Sequence, residues 1–336
     1  MKEKNMTENT AKEIEANGHF ARQENEFSTP FGTAVGQLPV EAGKYRLLWS
    51  AACPWATRSA IALELLGLTD VISIGKADPM RPVKEDADWA FTLDDGDVDP
   101  VLGIKYVSDA YLKADPNYAT RPTVPAIVDI ESGKVVNNDY FKLTNYFENE
   151  WQAFQSTDAP ELYPQELRAD IDALNQIIFS DVNNGVYKAG FAQSQWAYEK
   201  AYNQLFARLD WLEERLSKQR FLFGDRLTDA DIRLYTTLAR FDAAYYDKFR
   251  ANKKRIRDYE NLWNYARDLY SIPAFKNNTD FHAIRVHYHQ SGHLSGTAKL
   301  FSVLPLGPDE ELWTTPNNRA EKFGPVTNLV TQPGEK

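Results

Sequence analysis

Apolar and polar positions change rhythm twice along this chain. Tyr45-Arg-Leu-Leu-Trp49 is a short run of bulky apolar residues, which suits a buried strand. From Pro54 to Gly67, residues Ala56, Ala60, Ile61, Ala62, Leu63, Leu65 and Leu66 lie between an early proline and a late glycine, the asymmetry of a helix. Val71-Ile-Ser-Ile74 reads as a second strand, and strand–helix–strand predicts a parallel pair. Gly75 to Thr120 is polar, rich in Asp and Gly, and is expected to be mostly loop. Pro125–Ile130 and Lys134–Asn137 flank Glu131-Ser-Gly133 as a hairpin, with a helix expected from near Asp139.

After Trp151 the strand signals stop. Tyr198, Tyr202, Leu205, Leu209, Leu212 and Leu216 recur at the spacing of a helical stripe. In Leu227-Thr-Asp-Ala-Asp-Ile232, Thr228 can cap a helix, Asp231 can reach back to its amide and Leu227 can pack on Ile232. Further helices are expected near 161–181, 256–271 and 280–289. The chain therefore divides into an arm (1–40) with Gly18, Phe20, Phe27 and Phe31 as anchors, an α/β unit (41–150) with a long inserted loop (75–120), an all-helical domain (151–308) and a tail (309–336).

Composition narrows the function classes. At 336 residues, 43% apolar and 13% aromatic, the chain is long enough for two domains with real cores. A net charge of −10 argues against a phosphate-tracking surface, so no nucleic-acid partner is expected. No window holds the roughly 18 apolar residues of a membrane helix. Met1 to Ala16 has no apolar leader core, and the protein reads as cytoplasmic. His282, His287, His289 and His293 crowd together, but their spacing does not put all four on one helical face, and no metal is expected. The acidic stretch at 94–99 lacks a calcium-loop pattern and reads as loop.

A single cysteine rules out an intrachain disulfide and any multi-cysteine metal site. Cys53 falls between the strand at 45–49 and the helix opening at Pro54. A thiol there faces unpaired amides and the positive end of a helix, which is expected to lower its pKa and raise its reactivity. Cys53-Pro-Trp-Ala56 has alanine where a resolving cysteine would stand. Any disulfide at Cys53 is therefore made with an external thiol and released by another. Thr123-Val124-Pro125, just ahead of the hairpin, suggests a cis-proline turn facing the cysteine, with the Val124 backbone offered to a peptide-like ligand.

A strand, Cys-Pro, a Val-Pro turn and a helical domain with Leu-Thr-x-Ala-Asp together resemble the cytosolic glutathione transferases. Gly-x-Phe-x-Arg at 18–22, Ser50-Ala-Ala-Cys-Pro-Trp-Ala-Thr-Arg58, Tyr111-Leu-Lys-Ala-Asp-Pro-Asn-Tyr118, Asn183-Asn-Gly-Val-Tyr-Lys-Ala-Gly-Phe191, Arg220-Phe-Leu-Phe-Gly-Asp225, Leu238-Ala-Arg-Phe-Asp-Ala243 and Tyr259-Glu-Asn-Leu-Trp263 resemble the Xi class, the glutathionyl-hydroquinone reductases. The resemblance implies a thioredoxin-like N-terminal domain, an all-helical C-terminal domain, glutathione as co-substrate, no metal and a homodimer. It implies Cys53 as the nucleophile on a glutathionylated hydroquinone, Tyr187 and Tyr288 in the substrate site, and Trp89, Arg121 and Val124 against glutathione. Where the family has Asn-Asn-Glu-Ser for the γ-glutamyl end, this chain has Asn137-Asn138-Asp139-Tyr140. The shorter carboxylate and the bulkier ring leave two readings of the thiol, glutathione held differently or another low-molecular-weight thiol. Two other functions stay open beside the reductase: a non-catalytic binder of quinones or other aromatics, and a conjugating transferase.

Overall fold

The structure is a computed structural model that describes residues 13–81, 88–291 and 303–329. His293, the first twelve residues of the arm and the end of the tail lie outside the described residues. Strand β1 (Tyr45–Trp49) is buried along its whole length, its apolar residues broken only by Arg46. It pairs in parallel with β2 (Ser73–Lys76) and antiparallel with β3 (Ala126–Asp129), which pairs antiparallel with β4 (Lys134–Asn137), giving the order β2-β1-β3-β4. Helix α1 (Pro54–Leu65) makes the crossover between the parallel strands.

Strand β2 begins two residues later than the apolar run predicts. The amides of Val71 and Ile72 both donate to Leu68 O, closing the turn that follows α1, so neither is left to start the ladder. Among its described residues the stretch from Gly75 to Thr120 is mostly loop, as expected, but it also contains helix α2 (Val107–Ala114). Tyr106 and Asp109 form a capping box at its start, and Val107, Ala110 and Tyr111 bury its inner face. Eight residues give too few turns for the periodicity to stand out. Asp99, within the acidic stretch, is buried and paired with Arg46 at 2.8 Å.

Helix α3 (Leu143–Asn149) packs on α1, and after it come α4 (Arg168–Ile178), α5 (Gly185–Phe191), α6 (Gln195–Leu216), α7 (Asp229–Arg240), α8 (Glu260–Tyr270), α9 (Pro273–Asn277), α10 (Phe281–Gln290) and α11 (Arg319–Phe323), with a single helical turn at Tyr246–Lys248. The capping box expected at Thr228 and Asp231 is present, with Thr228 N donating to Asp231 Oδ2 at 2.8 Å. The helix expected near Asp139 starts instead at Leu143. Asp139 accepts from the amides of Phe141 and Lys142, which makes a turn first. Among the described residues no helix is long and apolar enough to cross a membrane.

Arm and tail are both docked. Phe31 packs edge-on against Tyr45, Tyr146 and Trp151, and Phe20 against Phe191. Such ring contacts contribute about 0.5–1.5 kcal/mol each beyond area burial. Gly18 has φ +85°, and a Cβ there would fall 2.8 Å from the backbone of Ser194, the N-cap of α6. Only glycine lets the arm approach that helix end so closely. In the tail, Trp313 packs against Trp263 and Phe281, and the buried Arg319 donates to Leu216 O.

Candidate active site

Cys53 is the N-cap of α1 with Pro54 behind it, and its carbonyl accepts from both the amide and the hydroxyl of Thr57 at 3.0 Å. Its loop is clamped from the helical domain. The buried Arg240 guanidinium donates to Ala52 O (3.0 Å), Ala51 O (2.8 Å), Thr57 Oγ1 (2.8 Å) and Thr236 O (2.8 Å). The Val124–Pro125 bond is cis, and Cys53 Sγ donates to Val124 O at 3.3 Å. Helix α2 braces this turn, because Tyr111 Oη donates to Thr123 O at 2.8 Å.

The thiol does not have the depressed pKa expected from its sequence position. Burial pushes Cys53 up, while the amides of Ala56 and Trp55 and the cations Arg240 and Arg22 pull the other way. The hydrogen bond to Val124 O also favours the protonated form. Without a ligand, then, desolvation outweighs the helix end.

Facing the sulfur is a cluster of phenols. Tyr187 from α5 and Tyr288 from α10 bring their hydroxyls to 2.6 Å, and Tyr245 joins at 3.0 Å from Tyr288 and 3.5 Å from Tyr187. Burial pushes all three pKa values up, so these are neutral hydrogen-bond donors at neutral pH. Tyr245 lies in the π-helical turn Phe241–Tyr245 that follows α7. Such turns often mark functional positions. Its only signal in sequence is its place two residues beyond the recognisable string ending at Ala243.

Cys53, Tyr187 and Tyr288 line one cavity of about 890 Å³, measured out to its open mouth. Trp89, Arg121, Val124 and Tyr140 line it too, so seven of the eight residues singled out from sequence meet there. Trp89 is stacked on His287, whose pKa burial pushes down to about 3. Tyr140 places its ring 5.0 Å from that of Trp55. Asp139 is the exception. Its Oδ1 is engaged by the turn amides and by Asn25 Nδ2, and the residue does not line the cavity.

Sequence reasoning found Arg121 but missed the other charged residues of this cavity, Glu13, Arg22 and Arg81. Arg22 stands over the rings of Trp55 and Tyr187 at 4.6 and 4.7 Å and donates from Nε to Asn184 Oδ1. Arg81 stands over Trp89 at 4.6 Å, and burial lowers its pKa to about 9. Arg22 Nη2, Arg81 Nε and Arg81 Nη2 are buried without a hydrogen-bond partner among the described residues. Orphaned guanidinium donors in a cavity wall favour an anionic ligand. From the arm, Glu13 pairs with Arg121 at 3.2 Å. Among the described residues no three His, Cys, Asp or Glu side chains come together as metal ligands.

With these donors, a thiol and a wall of phenols, the cavity can exchange disulfides and hold an aromatic ring by its oxygen. The family described as glutathione S-transferase, C-terminal domain, matches residues 195–268. The chain is 36% identical to the glutathionyl-hydroquinone reductase of Escherichia coli (strain K12), over 91% of this chain and 94% of that protein. The E. coli protein's structure, solved with glutathione bound, superposes with a TM-score of 0.79 and covers 91% of this chain and 99% of that one. A glutathione transferase from Gordonia bronchialis is 47% identical, with a TM-score of 0.82 and 87% and 89% of the two chains covered. The Xi glutathione transferase of Phanerochaete chrysosporium is 38% identical, with a TM-score of 0.81 over 89% and 95%.

Proposed function

The chain belongs to the Xi class of glutathione transferases, the glutathionyl-hydroquinone reductase family, and from that membership we propose that it removes glutathione reductively from glutathionyl-hydroquinones through Cys53. The observation that carries this reading is the meeting of Cys53, Val124, Tyr187 and Tyr288 in one cavity. Glutathione is the co-substrate, and the unpaired guanidinium donors of Arg22 and Arg81 suit its carboxylates. A homodimer and a cytoplasmic site of action complete the proposal.

The chemistry follows from the poor leaving ability of an aryl carbanion. When the adduct tautomerises to its keto form, the carbon bearing sulfur is already protonated. The Cys53 thiolate, its proton lost to water, attacks the glutathione sulfur. An S–S bond forms, the S–C bond breaks, and its electron pair passes through the ring to the carbonyl oxygen. The ring departs as an enolate whose oxygen is held and protonated by the phenols of Tyr187 and Tyr288, with the Tyr245 hydroxyl hydrogen-bonded to both from behind. The ring is reduced by two electrons, and two sulfurs are oxidised to a disulfide. A second glutathione thiolate then attacks that disulfide, releasing oxidised glutathione and free Cys53. Conjugation fits less well, because a cysteine in this position forms mixed disulfides instead of activating a bound thiol.

The test is turnover of glutathionyl-hydroquinone by wild type and Cys53→Ser with several reducing thiols compared side by side. Hydroquinone formation is expected to fall at least about a thousandfold in the variant. Substantial retained turnover would sink the mechanism.

A further inference from the structure

Arg121 and Glu13 meet at the mouth of the cavity, and neither is fully used by the other. Glu13 comes from the arm and is only 7% exposed, so its carboxylate is held in a fixed place. Arg121 Nη2 and the amide of Gln23 both donate to Glu13 Oε1, at 3.2 and 3.0 Å. Oε2 has no protein partner among the described residues, and Glu13 lines the cavity. Among the described residues Arg121 donates through Nη2 alone, leaving the rest of its fork unengaged. The pair is pinned in place, since Gln23 Nε2 donates back to Arg121 O at 2.9 Å and the Tyr118 hydroxyl donates to the same carbonyl at 3.3 Å.

A carboxylate with a free oxygen beside a guanidinium with free donors is the complement of an α-amino-acid group, which carries an ammonium beside a carboxylate. Such a zwitterion is costly to bury unless both charges find partners. The residue that the sequence offers for the ammonium, Asp139, has Oδ1 engaged by its own turn and, unlike Glu13, does not line the cavity. Tyr140 brings a ring there, not a small hydroxyl.

We propose that Glu13 of the arm and Arg121 form the seat for the zwitterionic amino-acid end of the co-substrate thiol, Glu13 Oε2 taking the ammonium and Arg121 the carboxylate. This assigns the arm a part in binding and rests on the thiol-dependent reading above. It also accounts for how an acidic chain holds an anionic tripeptide without help from its overall field.

The experiment compares binding of S-methylglutathione with its des-amino counterpart, S-methyl-glutaryl-cysteinylglycine, to the full chain by calorimetry. Both are thioethers, so binding is read without turnover. The wild type is expected to bind S-methylglutathione about tenfold more tightly, the scale of one charge-assisted hydrogen bond. Glu13→Gln keeps an acceptor for Gln23 and Arg121, so the arm stays docked. It is expected to erase the preference by weakening S-methylglutathione alone. Equal binding of the two by wild type would overturn the seat. So would tighter binding of both by Glu13→Gln, which would make the arm carboxylate a plug on Arg121. A preserved preference in a protein that does not turn over glutathionyl-hydroquinone would support the seat while removing the reductase reading.

Discussion

At the sulfur end of the cavity, the turns that place the thiol lie within a few positions of Cys53 or of Val124, with Arg240 clamping them from the helical domain. At the phenol end, three hydroxyls arrive from separate helical segments, 43, 58 and 101 residues apart in the three pairs that touch. The first end is a property of turns: Pro54 fixes a helix start, the cis Val124–Pro125 turn presents a carbonyl, and both are written locally. The second is a property of packing, and it exists only when α5, the turn after α7 and α10 have been brought together. The two ends should therefore fail differently when altered.

The largest contrast is expected from Tyr288→Phe. Loss of a donor at the leaving oxygen should lower kcat on glutathionyl-hydroquinone by about 10²–10³-fold. Exchange of Cys53 with oxidised glutathione, followed by mass spectrometry, should continue at the wild-type rate. Equal losses in both assays would mean that the two ends are not separable.

Arg240→Met attacks the clamp that joins the ends. It strands the carbonyls of Ala51 and Ala52 in the interior, and a destabilisation of about 2–4 kcal/mol is expected from the shift in urea midpoint. An unchanged midpoint would show that the clamp is dispensable.

The smallest effect concerns the thiol itself. A pKa raised by burial leaves less thiolate at neutral pH, so Cys53 alkylation by iodoacetamide should keep climbing beyond the ordinary thiol range of about 8.5. Arg22 favours the thiolate, so Arg22→Met should move that curve to still higher pH, with a smaller change in stability than Arg240→Met. A curve that levels off below neutrality would restore the depressed pKa expected from the helix end alone.

The same division explains what could be read from the chain. The strand order around Cys53, the hairpin, the cis turn and the capping box at Thr228 are set by neighbours in sequence, and each is present. Seven of eight expected site residues line the cavity because recognisable strings carried them. Tyr245 was missed because a tyrosine in a helical run looks like core until its hydroxyl partners are known. Glu13 was missed because an arm has no periodicity to show which side it presents. The direction of the Cys53 pKa was misjudged because sequence reveals the helix end but not the depth of burial, and here burial outweighs it.

The central claim is that Cys53 carries glutathione between two half-reactions. A single turnover of glutathionyl-hydroquinone on the full chain, without added thiol and read by intact mass spectrometry and chromatography, tests it directly. The account predicts one glutathione on Cys53 for each hydroquinone released. Hydroquinone released in stoichiometric amount from a protein that carries no adduct would contradict it.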